Sequence, residues 1–192
     1  LQVLRHLQAR GHETLVVAPR GAAEPDPELL HGATFVPLGS MPTPGYKEVR
    51  FSVPKVRRVA DILEAFQPDV VHLASPFALG WKALRAARRL GIPTVAVYQT
   101  DIPGYAKRYG LPGLEAQLAH HVAKIHGRAT VNLAPSTASM REVEALGAGE
   151  LRLWARGVDA VRFHPDRRSD VWRRWVAPNG ELVIGYVGRL AA

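Results

Sequence analysis

Four short apolar runs, spaced by single helix-length amphipathic segments, constrain this chain more than any other feature. Residues 70–74, 94–98, 130–134 and 151–154 are rich in Val, Leu and Ala and read as strands. Between the first pair, Leu79, Ala83, Ala86 or Ala87 and Leu90 recur at helical spacing; between the second pair, Leu114, Leu118, Val122 and Ile125 do so. A third helix runs to Leu146, with Ser136 or Thr137 placed to cap it and Gly147 to stop it. Strands joined by single helices of about three turns need right-handed crossovers, which build a mostly parallel sheet. The fold class is therefore α/β, a Rossmann-like doubly wound parallel sheet. Continuous apolar strands such as Val95-Ala96-Val97 suit a sheet covered on both faces.

Upstream, Leu1, Leu4 and Leu7 mark a helix ended by Gly11, and residues 13–18 form a strand closed by Pro19. Residues 21–27 read as loop, 34–38 as a strand and 39–44 as turn-rich connection. Val56, Val59, Ala60, Leu63 and Phe66 line one face of a helix that Pro68 closes, and 182–187 read as a last strand. The expected organisation is a domain over 1–156, a linker over 157–181, and the first strand of another domain over 182–192. Both ends read as cuts through a larger protein.

Composition removes several function classes. The chain has no Cys, which excludes disulfides, thiolate metal sites and a Cys nucleophile, and fits a reducing cytoplasm. Apolar runs fall short of the roughly 20 residues that cross a bilayer. His120 and His121 are adjacent and so diverge by about 100° on a helix. His126 lies off their face, and no His-Glu-x-x-His pattern occurs, so no metal site is expected. Neither a GxGxxG, a P-loop nor a Gly-x-Ser-x-Gly elbow is present. The formal charge of +8 favours anionic partners, although no nucleic-acid-binding motif accompanies it.

In open α/β sheets, ligands sit beyond the C-terminal strand ends. The exit of the 94–98 strand carries Tyr98, Gln99, Thr100, Asp101 and Tyr105, a mixture suited to binding sugar hydroxyls and stacking on sugar rings. A capped polar loop is the plainer reading of the same residues. Ser75 leaves another strand, followed by Pro76 and by Phe77, which reads as tucked into the core. Ser136 is either a helix cap or, at that helix N-terminus, a phosphate contact. Lys47, Arg50, Lys55, Arg57 and Arg58, interleaved with Tyr46 and Phe51, read either as a solvated helix face or as an edge that meets an anionic membrane.

An ordered set of segments carries a resemblance across nearly the whole chain. It comprises Gly45-Tyr46, Asp69-Val70-Val71-His72-Leu73-Ala74-Ser75-Pro76 and Val97-Tyr98-Gln99-Thr100-Asp101. Ala134-Pro135-Ser136, Arg156-Gly157-Val158-Asp159, Phe163-His164-Pro165 and Gly185-Tyr186-Val187-Gly188-Arg189-Leu190 complete it. The chain resembles family-four retaining glycosyltransferases of the GT-B type, and within them the GDP-mannose-dependent α-mannosyltransferases of actinobacteria that act on lipid acceptors.

That resemblance implies an N-terminal, acceptor-binding domain here, with a Gly-rich loop before Leu1 and a donor domain after Ala192. It implies a nucleotide-sugar donor, GDP-mannose, as substrate and no cofactor. Arg189 would grip the donor diphosphate, since a guanidinium donates two parallel hydrogen bonds to phosphate and keeps its charge. Tyr46, Ser75, Tyr98, Thr100, Ser136 and Arg156 are the other expected substrate contacts. Many relatives carry His where this chain has Gln99. Retaining enzymes of this fold are thought to let the departing phosphate take the acceptor proton, so catalysis rests on positioning and charge neutralisation. Gln99 is then expected to position the sugar and Asp101 to orient the segment around Thr100. The resemblance also places the protein at the inner face of the cell membrane. A UDP-sugar-dependent transferase of the same fold and a non-catalytic sugar- or lipid-binding module remain the alternatives.

Overall fold

The computed structural model describes residues 2–21, 29–43, 46–99, 101, 104, 112–155 and 157–187. It divides into two units, Leu1–Ala155 and Arg156–Ala192.

The centre of the first unit is a parallel sheet of β6 (Val71–Leu73), β7 (Thr94–Val97), β8 (Val131–Ala134) and β9 (Leu151–Leu153), in that order. Three helices connect them: α3 (Ala78–Arg89), α4 (Pro112–His126) and α5 (Thr137–Ala145). Strand order follows chain order, so right-handed crossovers place all three helices on one face. Register puts Leu73, Ala96, Asn132 and Leu151 on that face. Leu73 and Ala96 pack with Leu84 of α3 and Ile125 of α4, while Tyr98, Val122 and Val143 bury together nearer α5. On the opposite face Val95, Val131 and Leu133 are only half-buried and Arg152 and Trp154 are exposed, so coverage there is partial.

Before this sheet come α1 (Gln2–Ala9), β1 (Leu15–Pro19), β2 (Leu29–Leu30), β3 (Ala33–Leu38), β4 (Met41–Thr43), β5 (Tyr46–Phe51) and α2 (Val56–Phe66). β1 pairs parallel with β3, and β2 antiparallel with β3. α2 lays Val59 and Leu63 against Ala86 and Ala87 of α3. Among the described residues the strands form three sheets, of three, two and four strands, the last being the parallel one.

Three local expectations are corrected. Residues 39–44 are not wholly connection, because β4 pairs antiparallel with β5. The basic run is not one helix face: Lys47 and Arg50 lie on β5, Lys55 is the N-cap of α2, and Arg57 and Arg58 are on its exposed side. Residues 182–187 form no strand with any of the described residues; Leu182, Ile184 and Val187 are exposed there, and a strand exists only by pairing.

The second unit holds a 3₁₀ turn (Pro165–Arg167) capped by His164 and a short helix α6 (Asp170–Val176). The Ser169 hydroxyl accepts from the Trp172 N–H at its start.

Candidate functional site

Four neighbouring strands end at one edge, and their exits bring together residues far apart in sequence. β6 delivers Ser75 and Phe77, β7 delivers Gln99 and Asp101, β8 delivers Ser136, and β9 delivers Trp154. Continuing the observed register past the strands, two steps from the last β7–β8 pair and one from the last β8–β9 pair, sets Gln99 level with Pro135 and Trp154.

At the β6 exit the chain turns hard into α3. A Cβ on Gly80 would stand 2.0 Å from the Ser75 carbonyl oxygen, so only glycine lets the helix come this close. Ser75 is half-buried in that turn. Phe77 corrects the expectation of a core residue: it is the N-cap of α3 and 57% exposed. The apolar face of α3 begins two residues later, so the cap position points its ring away from the core.

At the β7 exit the two aromatic and amide neighbours part company. Tyr98 is buried, its ring edge-on to His126 at 5.6 Å between centroids, and so offers no open face for a sugar. Its hydroxyl donates over a long 3.5 Å to Asp101 Oδ1, which also accepts the Gly104 N–H at 2.9 Å. Burial, with the Asp101 and Glu142 carboxylates adding to it, pushes the Tyr98 phenol well above its ordinary value, so it stays a proton donor. Gln99, next in the chain, is exposed. Asp101 is thus engaged with its own loop, while Gln99 is the side chain left facing outward.

At the β8 exit, Ser136 caps α5: its hydroxyl accepts the Ser139 N–H at 3.1 Å and donates to Ser139 Oγ at 3.1 Å. At the β9 exit the indole of Trp154 meets His72 edge-on, with centroids 6.0 Å apart, and stays 38% exposed. Sequence reading passed over Phe77 and Trp154 as ligand-facing rings; their place just past a strand end was the available signal. The side chains of Tyr46 and Lys47, and Thr100, Arg156 and Arg189 entirely, lie outside the described residues. Arg50 is held inward by Ser40, through Nε to Oγ at 2.7 Å and a second bond to the carbonyl at 3.1 Å. Lys55, Arg57 and Arg58 remain as the exposed basic group.

Behind the β7 exit lies a buried polar pair. Asn132 Nδ2 donates to the carbonyls of His126 (2.9 Å) and Glu150 (3.3 Å), so its Oδ1 is the acceptor for His126 Nδ1–H at 2.8 Å. This fixes the tautomer and leaves His126 Nε2 buried without a partner among the described residues, a cost of about 1–3 kcal/mol. Burial lowers the His126 pKa, with the Asn132 bond opposing. The unfolded chain takes up a proton near the ordinary value of about 6.5 that the folded chain refuses. Stability is therefore full above that pH and falls as pH drops through it, by at most about 1.4 kcal/mol per pH unit. Urea midpoints of the complete protein at pH 7.5 and 5.5 should show this loss, and His126→Leu should reduce it.

The sequence profile of Glycosyltransferase Family 4 matches residues 1–162. The chain belongs to that family. Relatives include a GDP-mannose-dependent alpha-mannosyltransferase of Mycobacterium tuberculosis (strain CDC 1551 / Oshkosh), 46% identical over 193 residues, covering all of this chain and 51% of that protein. A sulfoquinovosyl transferase of Arabidopsis thaliana is 34% identical over 97% of this chain and 37% of its own length. A GDP-mannose-dependent alpha-(1-6)-phosphatidylinositol dimannoside mannosyltransferase of Mycobacterium tuberculosis (strain ATCC 25177 / H37Ra) is 27% identical over 95% of this chain and 47% of its own. The family 4 chain spans about half the length of the mannosyltransferases it matches. Among its described residues no helix is long and apolar enough to cross a membrane.

Proposed function

We propose that the complete protein transfers mannose from GDP-mannose to a lipid or glycolipid hydroxyl, with this chain supplying the acceptor-side unit. The observation that carries the reading is the strand-end edge, where the Gln99 amide and the exposed rings of Phe77 and Trp154 stand past the parallel strands β7, β6 and β9. Amides satisfy sugar hydroxyls and aromatic faces cover sugar C–H surfaces, a pairing suited to a saccharide beyond the C-terminal strand ends. The 46% identical GDP-mannose-dependent relative and the 27% identical phosphatidylinositol dimannoside mannosyltransferase support that donor and acceptor class.

In this reading Gln99 positions the transferred sugar and Arg189 neutralises the departing diphosphate, which takes the acceptor proton as the new glycosidic bond forms. No cofactor is needed. Lys55, Arg57 and Arg58 face an anionic membrane surface, where each contributes about 1 kcal/mol. Gln99→Ala in the complete protein should lower kcat about tenfold, equivalent to about 1.4 kcal/mol; turnover within about twofold would remove Gln99 from the mechanism.

Calorimetric titration of the complete protein tests the donor. GDP-mannose should bind and UDP-glucose should not. The sulfoquinovosyl relative shows that another sugar is handled on similar sequence, so binding of the UDP sugar alone would replace mannose with UDP-dependent transfer.

A further inference from the structure

We propose that His126 is a positioning residue for the segment that carries Gln99, acting through Tyr98 and Asp101; the inference rests on the transferase reading above. The groups form a continuous series from the far strand to the site. Asn132, on β8, reaches the Glu150 carbonyl beside β9 and the His126 carbonyl at the end of α4. It orients the imidazole through the 2.8 Å bond to Nδ1. The imidazole meets the Tyr98 ring at an interplanar angle of 77°. The Tyr98 backbone N–H is fixed to the Leu133 carbonyl at 2.8 Å, and its hydroxyl reaches Asp101, whose carboxylate holds the Gly104 N–H.

Packing alone requires none of these polar atoms. Leu in place of His126 would fill a similar volume with no orphaned Nε2, and Phe in place of Tyr98 would leave the same ring. What the polar atoms add is direction: they run toward the loop and end on both sides of Gln99. On the loop side the Asp101 carboxylate lies directly against Gly104, where a Cβ would have to displace it. Tyr98 and Asp101, anchored before and after Gln99, restrict where its exposed amide is presented, as suits a group that works by position.

Hydrogen exchange and kinetics on the complete protein, native and with Tyr98→Phe or His126→Leu, test this. Exchange of the Gly104 amide is measured as a ratio to the Ala96 and Val97 amides of β7, whose own rates report any overall loss of stability. In both variants the ratio should rise at least tenfold, and kcat for mannosyl transfer should fall about tenfold with the donor KM within about twofold. An unchanged ratio in His126→Leu overturns the proposal, whatever Tyr98→Phe does. So does a faster Gly104 amide with unaltered kcat. If the native protein transfers no sugar, the transferase reading fails instead, and the exchange ratio still decides whether His126 holds the loop.

Discussion

Gly80→Ala should destabilise the first unit by about 3 kcal/mol, at the upper end of what a single overpacking change costs. The added methyl would stand 2.0 Å from the Ser75 carbonyl oxygen and 3.2 Å from its carbon, where ordinary contact begins near 3.4 Å. Neither neighbour can yield cheaply. The oxygen is backbone in the turn between β6 and α3, and Gly80 is buried. Neighbouring Leu84, Ala86 and Ala87 fix α3 in two core clusters. Helix propensity works the other way, favouring Ala over Gly by about 1 kcal/mol, so the observed loss isolates the close approach. Melting of the complete protein should show the transition of this unit lowered by about 6–12 °C. A melting temperature at or above the native value would mean that α3 does not approach Ser75 as described. Because the same turn delivers Ser75 and Phe77 to the site, the variant should also weaken substrate binding.

Asn132→Leu should cost about 3 kcal/mol despite similar volume, because buried polar groups are then left without partners. The His126 carbonyl loses the Asn132 donor and His126 Nδ1–H loses its acceptor. The Glu150 carbonyl is spared, since it also accepts the Asn132 backbone N–H at 2.7 Å. Both His126 and Asn132 are fully buried, so water does not replace what is removed. His126→Leu alone should cost less, and the double substitution less than the sum, with a coupling of at least about 1 kcal/mol from chemical denaturation. Strict additivity would show that the two side chains do not depend on each other.

The parallel sheet was legible because its strands are short runs rich in Val, Leu and Ala between Pro, Gly and helical repeats. Residues 94–98 and 130–134 needed no tertiary information, and β7 and β8 occupy nearly those limits. β4 and β5 were harder. Tyr46, Lys47, Glu48 and Arg50 give an edge strand little apolar alternation, so the charges read as a helix surface. The run from Leu182 to Val187 is apolar enough for a strand, but composition does not say whether a pairing edge lies beside it. At the site, Gln99 was found from its place after a strand. Tyr98 looked like a sugar platform because side-chain direction at a strand end depends on pleat register, which put it on the helix-covered face with Ala96. The buried His126–Asn132 pair was invisible for a related reason: six residues separate the partners, and only the turn from α4 into β8 brings them together.

Mannosyl transfer to a lipid is the proposed reaction. Its most direct test is to incubate the complete protein with a bacterial lipid extract and GDP-mannose, UDP-glucose or UDP-N-acetylglucosamine, then follow the lipids by mass spectrometry. A hexose-shifted lipid from GDP-mannose, and from neither UDP sugar, is the predicted result. A shifted lipid from a UDP sugar alone, or no glycosylated lipid from any of the three donors, would contradict it.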